Sequence, residues 1–301
     1  MRVLVTGATG FIGRSLVPQL VAGNDIRVTI LVRETYGHAD IRQLSPPLAE
    51  LRDRIGVVYA DLRNFQLTLR AVQEAEPEGV LHLAAAGVTD PFLGIDTALR
   101  HNLSGTINLL RACFEKTHNT RQCIVARTPG ELSAMNVYAA SKAAAWNFCQ
   151  MYARTQQWPI QGAMIFQAYG PGQPEDTLIP SALKAALAGD DFPMTAGSQE
   201  RDWIYVEDVA SGLAAMLGRD LPAGTTVDLG TGRLTSIAEV VAQIYALAGR
   251  DGRPLVGALP DRPGEAARQV ADAGRTESLI GWRAAVSLRE GLGQVAGHDL
   301  S

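Results

Sequence analysis

The sequence has few of the residues that indicate a disulfide framework or a metal site. Only three of its 301 residues are cysteines, Cys113, Cys123 and Cys149, and they lack paired CxxC spacing. The five histidines are scattered along the chain. Because disulfide frameworks need paired cysteines and metal sites need clustered ligands, we expect neither a bridge nor a bound metal.

Long apolar runs and an excess of one charge are also missing. No 18 apolar residues follow one another, and the first residues, MRVLVTGATG, lack the features of a signal peptide. The charges are dispersed, with 27 Lys and Arg against 31 Asp and Glu and a net charge of −4. We therefore expect a cytoplasmic protein that binds neither nucleic acid nor a membrane.

The residues that are present form a βαβ pattern, and 47% of them are hydrophobic, enough to bury a core. In the first half, short aliphatic runs such as RVLVTG and GVLHLAAA alternate with helix-period segments such as residues 96–115. This predicts an α/β fold, a Rossmann-type doubly wound parallel sheet over residues 1–166. We expect a smaller C-terminal α/β substrate lobe over residues 167–301, with residues 203–248 returning in part to the first domain.

The first strand runs directly into a G-x-x-G-x-x-G turn made by Gly7, Gly10 and Gly13. Glycines at these positions let the backbone turn sharply and let a pyrophosphate approach the free amides at a helix N-terminus. Because the turn lies between a strand and a helix of a βαβ unit, it predicts dinucleotide binding rather than a purely structural turn.

The residue after the second strand bears on which dinucleotide is bound. NAD-binding proteins of this type place Asp or Glu there, against the ribose 2′-hydroxyl, whereas this chain has Val32 and then Arg33. A guanidinium can pair a 2′-phosphate bidentately, which favours it roughly ten- to hundredfold. We therefore expect NADP(H) to be favoured over NAD(H) through Arg33, with Arg14 as a second candidate; the alternative is that Arg33 is a solvated loop residue.

Tyr138 and Lys142 are four residues apart, so on a helix they share one face. A nearby ammonium, together with an oxidised nicotinamide, would lower the tyrosine pKa from about 10 towards neutrality. Tyr138 could then pass a proton to or from a substrate oxygen while hydride moves to or from the nicotinamide. The same spacing is common on helix surfaces, so by itself it leaves both interpretations open.

Several motifs in a shared order make the chain resemble a known family. They are TGATGFIG, Asp61-Leu62, LHLAAA, NLSGTINLL, YAASK, YGPGQ, RDWIYVEDVA, VDLGTG and RPGEAARQVADAGRTESLIGW. In these the chain is similar to the extended short-chain dehydrogenases/reductases, the NAD(P)-dependent epimerase/dehydratase family that acts on nucleotide sugars. The resemblance covers nearly the whole chain and implies a homodimer built from the helix of Tyr138 and the helix over residues 96–115.

The resemblance also implies roles for single residues. To the three glycines and Arg33, which were inferred above, the resemblance adds further residues around the cofactor. These are Phe11, Ile12, Asp61, Leu62, Ala84, Asn102, Tyr138, Lys142 and Phe166. Its catalytic residues are Tyr138, Lys142, which also holds the nicotinamide ribose, and Thr128, which hydrogen-bonds the reacting oxygen. Its substrate residues are Arg201 and Arg262, which would clamp the diphosphate, and Gln167 in the sugar pocket.

The chain departs from the family pattern around the sugar pocket. Arg127 precedes Thr128 where a second small hydroxyl residue is usual, and only nine residues separate Thr128 from Tyr138. Met164 and Gln167 stand where many relatives have Arg and Asn. Pro129-Gly130 follows Thr128 in place of the Asp-Glu pair with which 4,6-dehydratases eliminate water, so a dehydratase is disfavoured.

These observations favour an NADPH-dependent reductase of an NDP-4-keto-6-deoxyhexose, because a reductase draws reducing equivalents from solution. The first alternative is a nucleotide-sugar epimerase that removes and returns a hydride through its bound cofactor. The altered pocket also leaves room for a small non-sugar ketone or aldehyde. A non-catalytic NADP-binding sensor or scaffold is the alternative of another class.

Overall fold

The computed structural model of the chain describes residues 1–23, 25–33, 44, 46–90, 92–260 and 264–299. The strands are β1 Arg2–Thr6, β2 Arg27–Val32, β3 Gly56–Tyr59, β4 Gly79–His82, β5 Gln122–Arg127, β6 Ile160–Ile165, β7 Gln167–Tyr169, β8 Phe192–Pro193, β9 Glu200–Arg201, β10 Trp203–Tyr205, β11 Thr226–Leu229, β12 Thr235–Ser236, β13 Pro254–Leu255 and β14 Arg268–Gln269. The helices are α1 Phe11–Ala22, α2 Pro46–Glu50, α3 Phe65–Ala75, α4 Ile95–Ala98, α5 Gly105–Leu110, α6 Val137–Thr155, α7 Leu178–Ala188, α8 Val206–Met216, α9 Ile237–Ala248, α10 Ala273–Ile280 and α11 Leu288–Asp299.

The centre of the molecule is a seven-stranded parallel sheet in the order β11-β6-β5-β4-β1-β2-β3. Alternate residues of its strands point to opposite faces, so Val3 and Val5 pack in one apolar cluster with α1 and α8. Leu4 packs in a second cluster with α3, α5 and α6. Helices therefore cover both faces, which confirms the predicted doubly wound α/β fold.

The helix predicted over residues 96–115 is present, but it is not a regular α-helix. It runs from Ile95 to Thr117, and two π-helical segments, Leu99–Ser104 and Arg111–Thr117, flank α5. Each π segment adds a residue to the local turn and re-aims the side chains that follow. The first of them carries Asn102, one of the predicted cofactor residues.

The later part of the chain supplies both the edge of the large sheet and a second cluster of elements. Strand β11 pairs with β6 in the large sheet, and α8 packs on the same face as α1. Elements α7, α9 and α11 enclose a separate apolar cluster that includes Tyr169, Trp203 and Leu292. The division of the chain into two domains stays a prediction. Of the helices in the described ranges, none is long and apolar enough to cross a membrane.

Candidate active site

The predicted cofactor residues gather where β1 and β4 lie side by side. From β1 the chain proceeds to β2 and β3 on one side, whereas β4, β5 and β6 lie on the other. Such a reversal of strand order opens a crevice beyond the carboxyl ends of the strands, where ligands bind in doubly wound sheets. Thr6 and His82, at the ends of β1 and β4, mark the floor of this crevice.

The glycine turn closes tightly over the end of β1. Gly7 has a φ of +71°, and a Cβ on it would lie 2.6 Å from the backbone nitrogen of Ala84. A Cβ on Gly13 would lie 2.5 Å from Cα of Ala8. Both positions therefore require glycine, because a side chain would collide with backbone.

Gly10 has a different surrounding, which fits a bound ligand. Its φ is −79°, and the nearest protein atom to a Cβ there would be the Gly7 carbonyl oxygen at 3.2 Å. Helix α1 starts at the next residue, with no side chain capping its first amides and no acidic residue in its first turn. These amides can donate to a pyrophosphate, so the residues present fit the predicted dinucleotide.

Two arginines, Arg33 and Arg63, lie near His101 on the side of the crevice where the adenosine is predicted. Arg33 is exposed directly after β2. Burial lowers the pKa of His101, and the positive charges of Arg63 and Arg33 lower it further, which brings these three residues into one neighbourhood. Asp61 is held by Arg63, whose Nε donates to Oδ2 at 2.9 Å, and this hydrogen bond lowers the Asp61 pKa.

Two other predicted cofactor residues also have defined contacts. The side chain of Asn108 donates to the backbone carbonyl of Leu62 at 2.8 Å, which fixes the chain after Asp61 against the helix. Arg14, the second candidate for the 2′-phosphate, instead donates to the carbonyl of Gly172 at 2.6 Å. This contact ties α1 to the YGPGQ turn.

Asn102 joins the cofactor loop to the helix of Tyr138. Its Oδ1 accepts from the backbone amide of Ala86 at 2.8 Å, and its Nδ2 donates to the Ala86 carbonyl at 3.0 Å. The same Nδ2 donates to Oγ of Ser141 at 2.9 Å. Since Asn102 is buried, its polar atoms need these partners, and the loop beyond Ala84 is held in one position.

Tyr138 and Lys142 lie in the first two turns of α6, on one face as predicted. The helix begins after Asn136, whose Oδ1 accepts from the Ala139 amide at 2.8 Å. Tyr138 is partly exposed, whereas Lys142 is buried. Within the part of the chain that the structure describes, Lys142 has no hydrogen-bond or ion-pair partner. A lysine with a buried side chain whose ammonium is left for a ligand fits the predicted role of holding the nicotinamide ribose.

The pKa of Tyr138 is shifted in the direction opposite to the one that we expected. Burial and then the carboxylate of Glu131 raise the pKa of Tyr138, whereas we expected a neighbouring ammonium to lower it. Burial lowers the Lys142 pKa, which weakens its ability to offset these effects. The expected lowering also depends on an oxidised nicotinamide, so for the cofactor-bound protein it stays a prediction.

Thr128 follows β5 in extended conformation and begins the 3₁₀ turn Pro129–Leu132. Its amide donates to Oε1 of Glu131 at 3.0 Å. The other carboxylate oxygen of Glu131 accepts from Nε of Arg127 at 2.9 Å. The short segment before Tyr138 is thus organised by Glu131, a residue that sequence reasoning missed.

The predicted substrate residues are less alike in their surroundings. Gln167 is exposed at the start of β7, directly after the buried Phe166, which was predicted as a cofactor residue. Arg201 is buried, with its Nη1 donating to the Ala266 carbonyl at 2.8 Å and its Nη2 3.6 Å from Oε2 of Glu265. These contacts anchor the segment before β14, and a diphosphate role for Arg201 stays a prediction. Arg262 lies outside the described residues.

A sequence model that describes the NAD dependent epimerase/dehydratase family matches residues 3–230. The chain belongs to this family. The predicted resemblance is therefore confirmed, and the protein is an enzyme of the extended short-chain dehydrogenase/reductase type.

Individual members of the family match nearly the whole chain. A dTDP-glucose 4,6-dehydratase of Xanthomonas campestris pv. campestris is 30% identical, over 97% of this chain and 91% of its own. The UDP-glucose 4-epimerase of Thermus thermophilus, solved with NAD, is 28% identical, with a TM-score of 0.81 over 99% of this chain and 98% of its own. A dTDP-glucose 4,6-dehydratase from Streptomyces venezuelae, also solved with NAD, is 27% identical, with a TM-score of 0.84 over 99% and 96%.

The family motif RDWIYVEDVA contains two aspartates whose structural roles the sequence did not disclose. The buried carboxylate of Asp202 accepts from the amides of Thr231, Gly232 and Ala271 at 2.8, 2.8 and 3.1 Å. Asp208 accepts from the amide of Val286 at 2.8 Å. Asp202 therefore holds two later segments to the chain between β9 and β10, and Asp208 holds the segment at Val286 to α8. These partners lie far along the chain from the motif, so no local pattern signals them.

Proposed function

We propose that this family member is an NADPH-dependent reductase of an NDP-4-keto-6-deoxyhexose. The observation that carries the proposal is that Tyr138 and the buried Lys142, which has no partner among the described residues, lie on one face of α6, in a chain whose glycine turn leaves the first amides of α1 uncapped. The nucleotide-sugar part of the proposal is supported by the dTDP-glucose and UDP-glucose enzymes that match almost the whole chain.

The chain supplies a proton donor at the site of reduction. A bound nicotinamide would deliver hydride to the carbonyl carbon of the substrate. Because burial and Glu131 raise its pKa, the Tyr138 phenol is protonated at neutral pH and can donate its proton to the carbonyl oxygen. A protonated phenol is the form that the reduction step requires.

The preference for NADPH rests on the cationic surroundings of the adenosine end. Arg33 stands where an acidic residue would meet a ribose 2′-hydroxyl, and the charges of Arg33 and Arg63 both reach His101. A 2′-phosphate bound here would lie close to positive charge. Two relatives were solved with NAD, so other members of the family use the cofactor without this phosphate.

Several relatives are dehydratases, but the groups that elimination needs are missing from the predicted position. Pro129 and Gly130 have no acid or base in their side chains. Glu131, the nearest carboxylate in sequence, has one oxygen on the Thr128 amide and the other on Arg127. A carboxylate held in this way is not free to take a proton from a sugar carbon.

A nucleotide-sugar epimerase is the second candidate. It is supported by the Thermus thermophilus epimerase, which shares 28% of its residues and the fold of the whole chain. An epimerase would use Tyr138 first as a base and then as an acid, and it would keep its cofactor bound throughout.

Exposed apolar residues support the proposed homodimer of this cytoplasmic enzyme. Leu99, on the helix that starts at Ile95, is 39% exposed, and Phe148 on α6 is 41% exposed. Phe92, just before the first of these helices, is 92% exposed. The two helices pack on each other, and exposed large apolar side chains on such elements are typical of a protein interface. Light scattering at micromolar concentration should give twice the monomer mass, and a monomer would contradict the homodimer.

The function is tested by mixing the protein with NADPH and a panel of nucleotide 4-keto sugars while following nicotinamide absorbance. We expect absorbance to fall with at least one sugar in the wild type and to remain constant in Tyr138→Phe. Sugar interconversion without net consumption of cofactor would instead show an epimerase. Tight cofactor binding without turnover of any sugar would show a sensor or scaffold.

A further inference from the structure

The short segment between β5 and α6 contains a buried ion pair. Nη2 of Arg127 lies 2.9 Å from Oε2 of Glu131, and Nε of Arg127 donates to the same oxygen at 2.9 Å. The side chains are 10% and 1% exposed, respectively. Two opposite charges buried this deeply are costly unless the remaining polar atoms are also satisfied.

Arg127 has contacts on several sides that fix its guanidinium. Its Nη1 donates to Oγ1 of Thr226 at 2.9 Å, and its guanidinium carbon lies 4.4 Å from the centroid of the Trp146 ring. Gly162 on the neighbouring strand provides the space, since a Cβ there would lie 2.7 Å from Cδ of Arg127. The guanidinium therefore has one position, which the sheet and α6 fix together.

Glu131 connects this pair to the predicted catalytic residues. Its second oxygen accepts the Thr128 amide at 3.0 Å, so it fixes the backbone of that residue. The 3₁₀ turn also packs on the start of α6, because a Cβ on Gly130 would lie 3.3 Å from Cβ of Ala139. One carboxylate therefore acts on Thr128 through its backbone and on Tyr138 through the packing of the two helices.

The charges of the pair also reach Lys142. The carboxylate of Glu131 raises the Lys142 pKa and the guanidinium of Arg127 lowers it, while Cys149 on α6 and His82 on β4 are the other titratable groups that interact with Lys142. The helix from Ile95 faces α6 with the uncharged Asn102. Lys142 thus has a carboxylate near it that is already bound to another cation.

We infer that the Arg127–Glu131 ion pair is a positioning device for the proposed active site: Glu131 sets the place of Thr128 and Tyr138, and Arg127 holds the Glu131 carboxylate in the orientation that does so. The inference rests on the proposed function for the roles of Tyr138 and Lys142 and adds two residues that do not touch the substrate. It also explains how the nine residues between Thr128 and Tyr138 can do the work of the longer segment that is usual in the family.

The test separates charge from shape with three variants. Glu131→Gln keeps the acceptor for the Thr128 amide but removes the negative charge, and Arg127→Met leaves that charge unpaired. The double variant Arg127→Met with Glu131→Gln removes both charges. Arg127→Lys is the conservative control, because it keeps the positive charge and loses only the planar fork.

The readout is the titration of Tyr138 in the NADP⁺-bound protein, followed by NMR of ¹³Cζ-labelled tyrosine and assigned with Tyr138→Phe. Removing a nearby carboxylate stabilises the phenolate, so Glu131→Gln should lower the midpoint by about one pH unit. Arg127→Met leaves the Glu131 carboxylate unpaired, so this variant should raise the Tyr138 midpoint by a similar amount. The double variant and Arg127→Lys should lie within about 0.3 pH units of the wild type.

Shifts in the same direction, or no shift in either single variant, would overturn the inference. If Arg127→Met does not fold, Glu131→Gln decides alone, since an unchanged midpoint in that near-isosteric variant contradicts a charge effect. The titration needs no turnover. A wild type that reduces no sugar while the midpoints move in opposite directions would refute the proposed function and leave the positioning device in place.

Discussion

Nδ2 of Asn102 lies 2.9 Å from Oγ of Ser141, which in turn donates to the backbone carbonyl of Tyr138 at 2.7 Å. One buried amide thus connects the loop at Ala86, the helix that starts at Ile95 and the first turn of α6. Because each polar atom of this amide has a partner, the loop at Ala86 and α6 cannot shift independently without breaking a buried hydrogen bond.

Replacing Asn102 with Ala should therefore affect stability and cofactor binding together. The backbone amide and carbonyl of Ala86 would lose their partner, which costs about 2 to 3 kcal/mol of unfolding free energy. The NADPH dissociation constant should rise roughly tenfold or more, since the loop is no longer fixed. Urea unfolding and fluorescence titration measure the two effects. Asn147→Ala, at an exposed position of α6, is the control and should change neither, whereas equal behaviour of both variants would refute the account.

The buried His82 makes stability depend on pH. Its Nδ1 lies 2.7 Å from Oγ1 of Thr6 and its Nε2 lies 2.9 Å from Oγ1 of Thr106. Burial, and next the charge of Lys142, lowers its pKa from 6.5 to about 3. Between these two pH values His82 is protonated in the unfolded chain but neutral in the folded chain. The free energy of unfolding therefore decreases as the pH falls from 6.5 towards 3.

The size of this effect can be measured by urea unfolding at about pH 6.5 and about pH 5. The His82 contribution should decrease by about 2 kcal/mol over this interval. His82→Gln should abolish that part of the pH dependence, whereas His118→Asn at an exposed, left-handed position should keep it. Identical pH dependence in the wild type and His82→Gln would contradict a neutral, buried His82.

Alanine substitutions at Gly7 and Gly10 should have different effects, one mainly on stability and the other mainly on cofactor binding. Gly7→Ala forces a Cβ to within 2.6 Å of the Ala84 backbone at positive φ, so it should lower stability by about 2 kcal/mol or more. Gly10→Ala, at an ordinary φ, brings its Cβ only to 3.2 Å from the Gly7 carbonyl oxygen, a contact that a small shift relieves, so it should cost about 1 kcal/mol. Its methyl group would instead point into the pyrophosphate space and should weaken NADPH binding at least about tenfold.

Thermal unfolding without cofactor and an NADPH titration of both variants test this difference. Wild-type affinity in Gly10→Ala would show that the pyrophosphate lies elsewhere. Normal stability in Gly7→Ala would show that the turn can relax.

The preference for NADPH should disappear when Arg33 is removed. Wild-type protein should bind NADPH roughly ten- to hundredfold more tightly than NADH, because the guanidinium favours a 2′-phosphate. Arg33→Ala should weaken NADPH binding by most of that factor and leave NADH binding unchanged. Arg14→Ala tests the second candidate, and because Arg14 already donates to the Gly172 carbonyl we expect this variant to keep the preference. Equal dissociation constants for both cofactors in the wild type would refute the preference.

Local patterns predicted the fold and the cofactor turn well. Period-2 and helix-period spacing identified the strands and helices of the sheet, and the glycine spacing identified the turn after β1, although the backbone that a Gly7 side chain would meet belongs to the distant Ala84. Contacts between distant segments were not predictable in the same way. Arg14 meets Gly172, far along the chain, and Arg201 donates to the carbonyl of Ala266.

The electrostatics of the active site depended even more on packing. Spacing alone placed Tyr138 and Lys142 on one helix face. The raised pKa of Tyr138 follows from burial and from Glu131, whose position depends on the ion pair with Arg127 and on the 3₁₀ turn. No pattern in the sequence gives the distance from that carboxylate to the phenol, so the direction of the shift could be obtained only from the folded chain.

The central claim is that hydride transfer to a nucleotide-activated keto sugar takes place beside Tyr138. Its most direct test is to incubate the protein with NADPH deuterated at the transferring position of the nicotinamide and an NDP-4-keto-6-deoxyhexose, and to analyse the sugar by mass spectrometry. The account predicts one deuterium on the reduced carbon with the wild type and none with Tyr138→Phe. A sugar that gains no deuterium from the wild type, although NADPH binds, would contradict it.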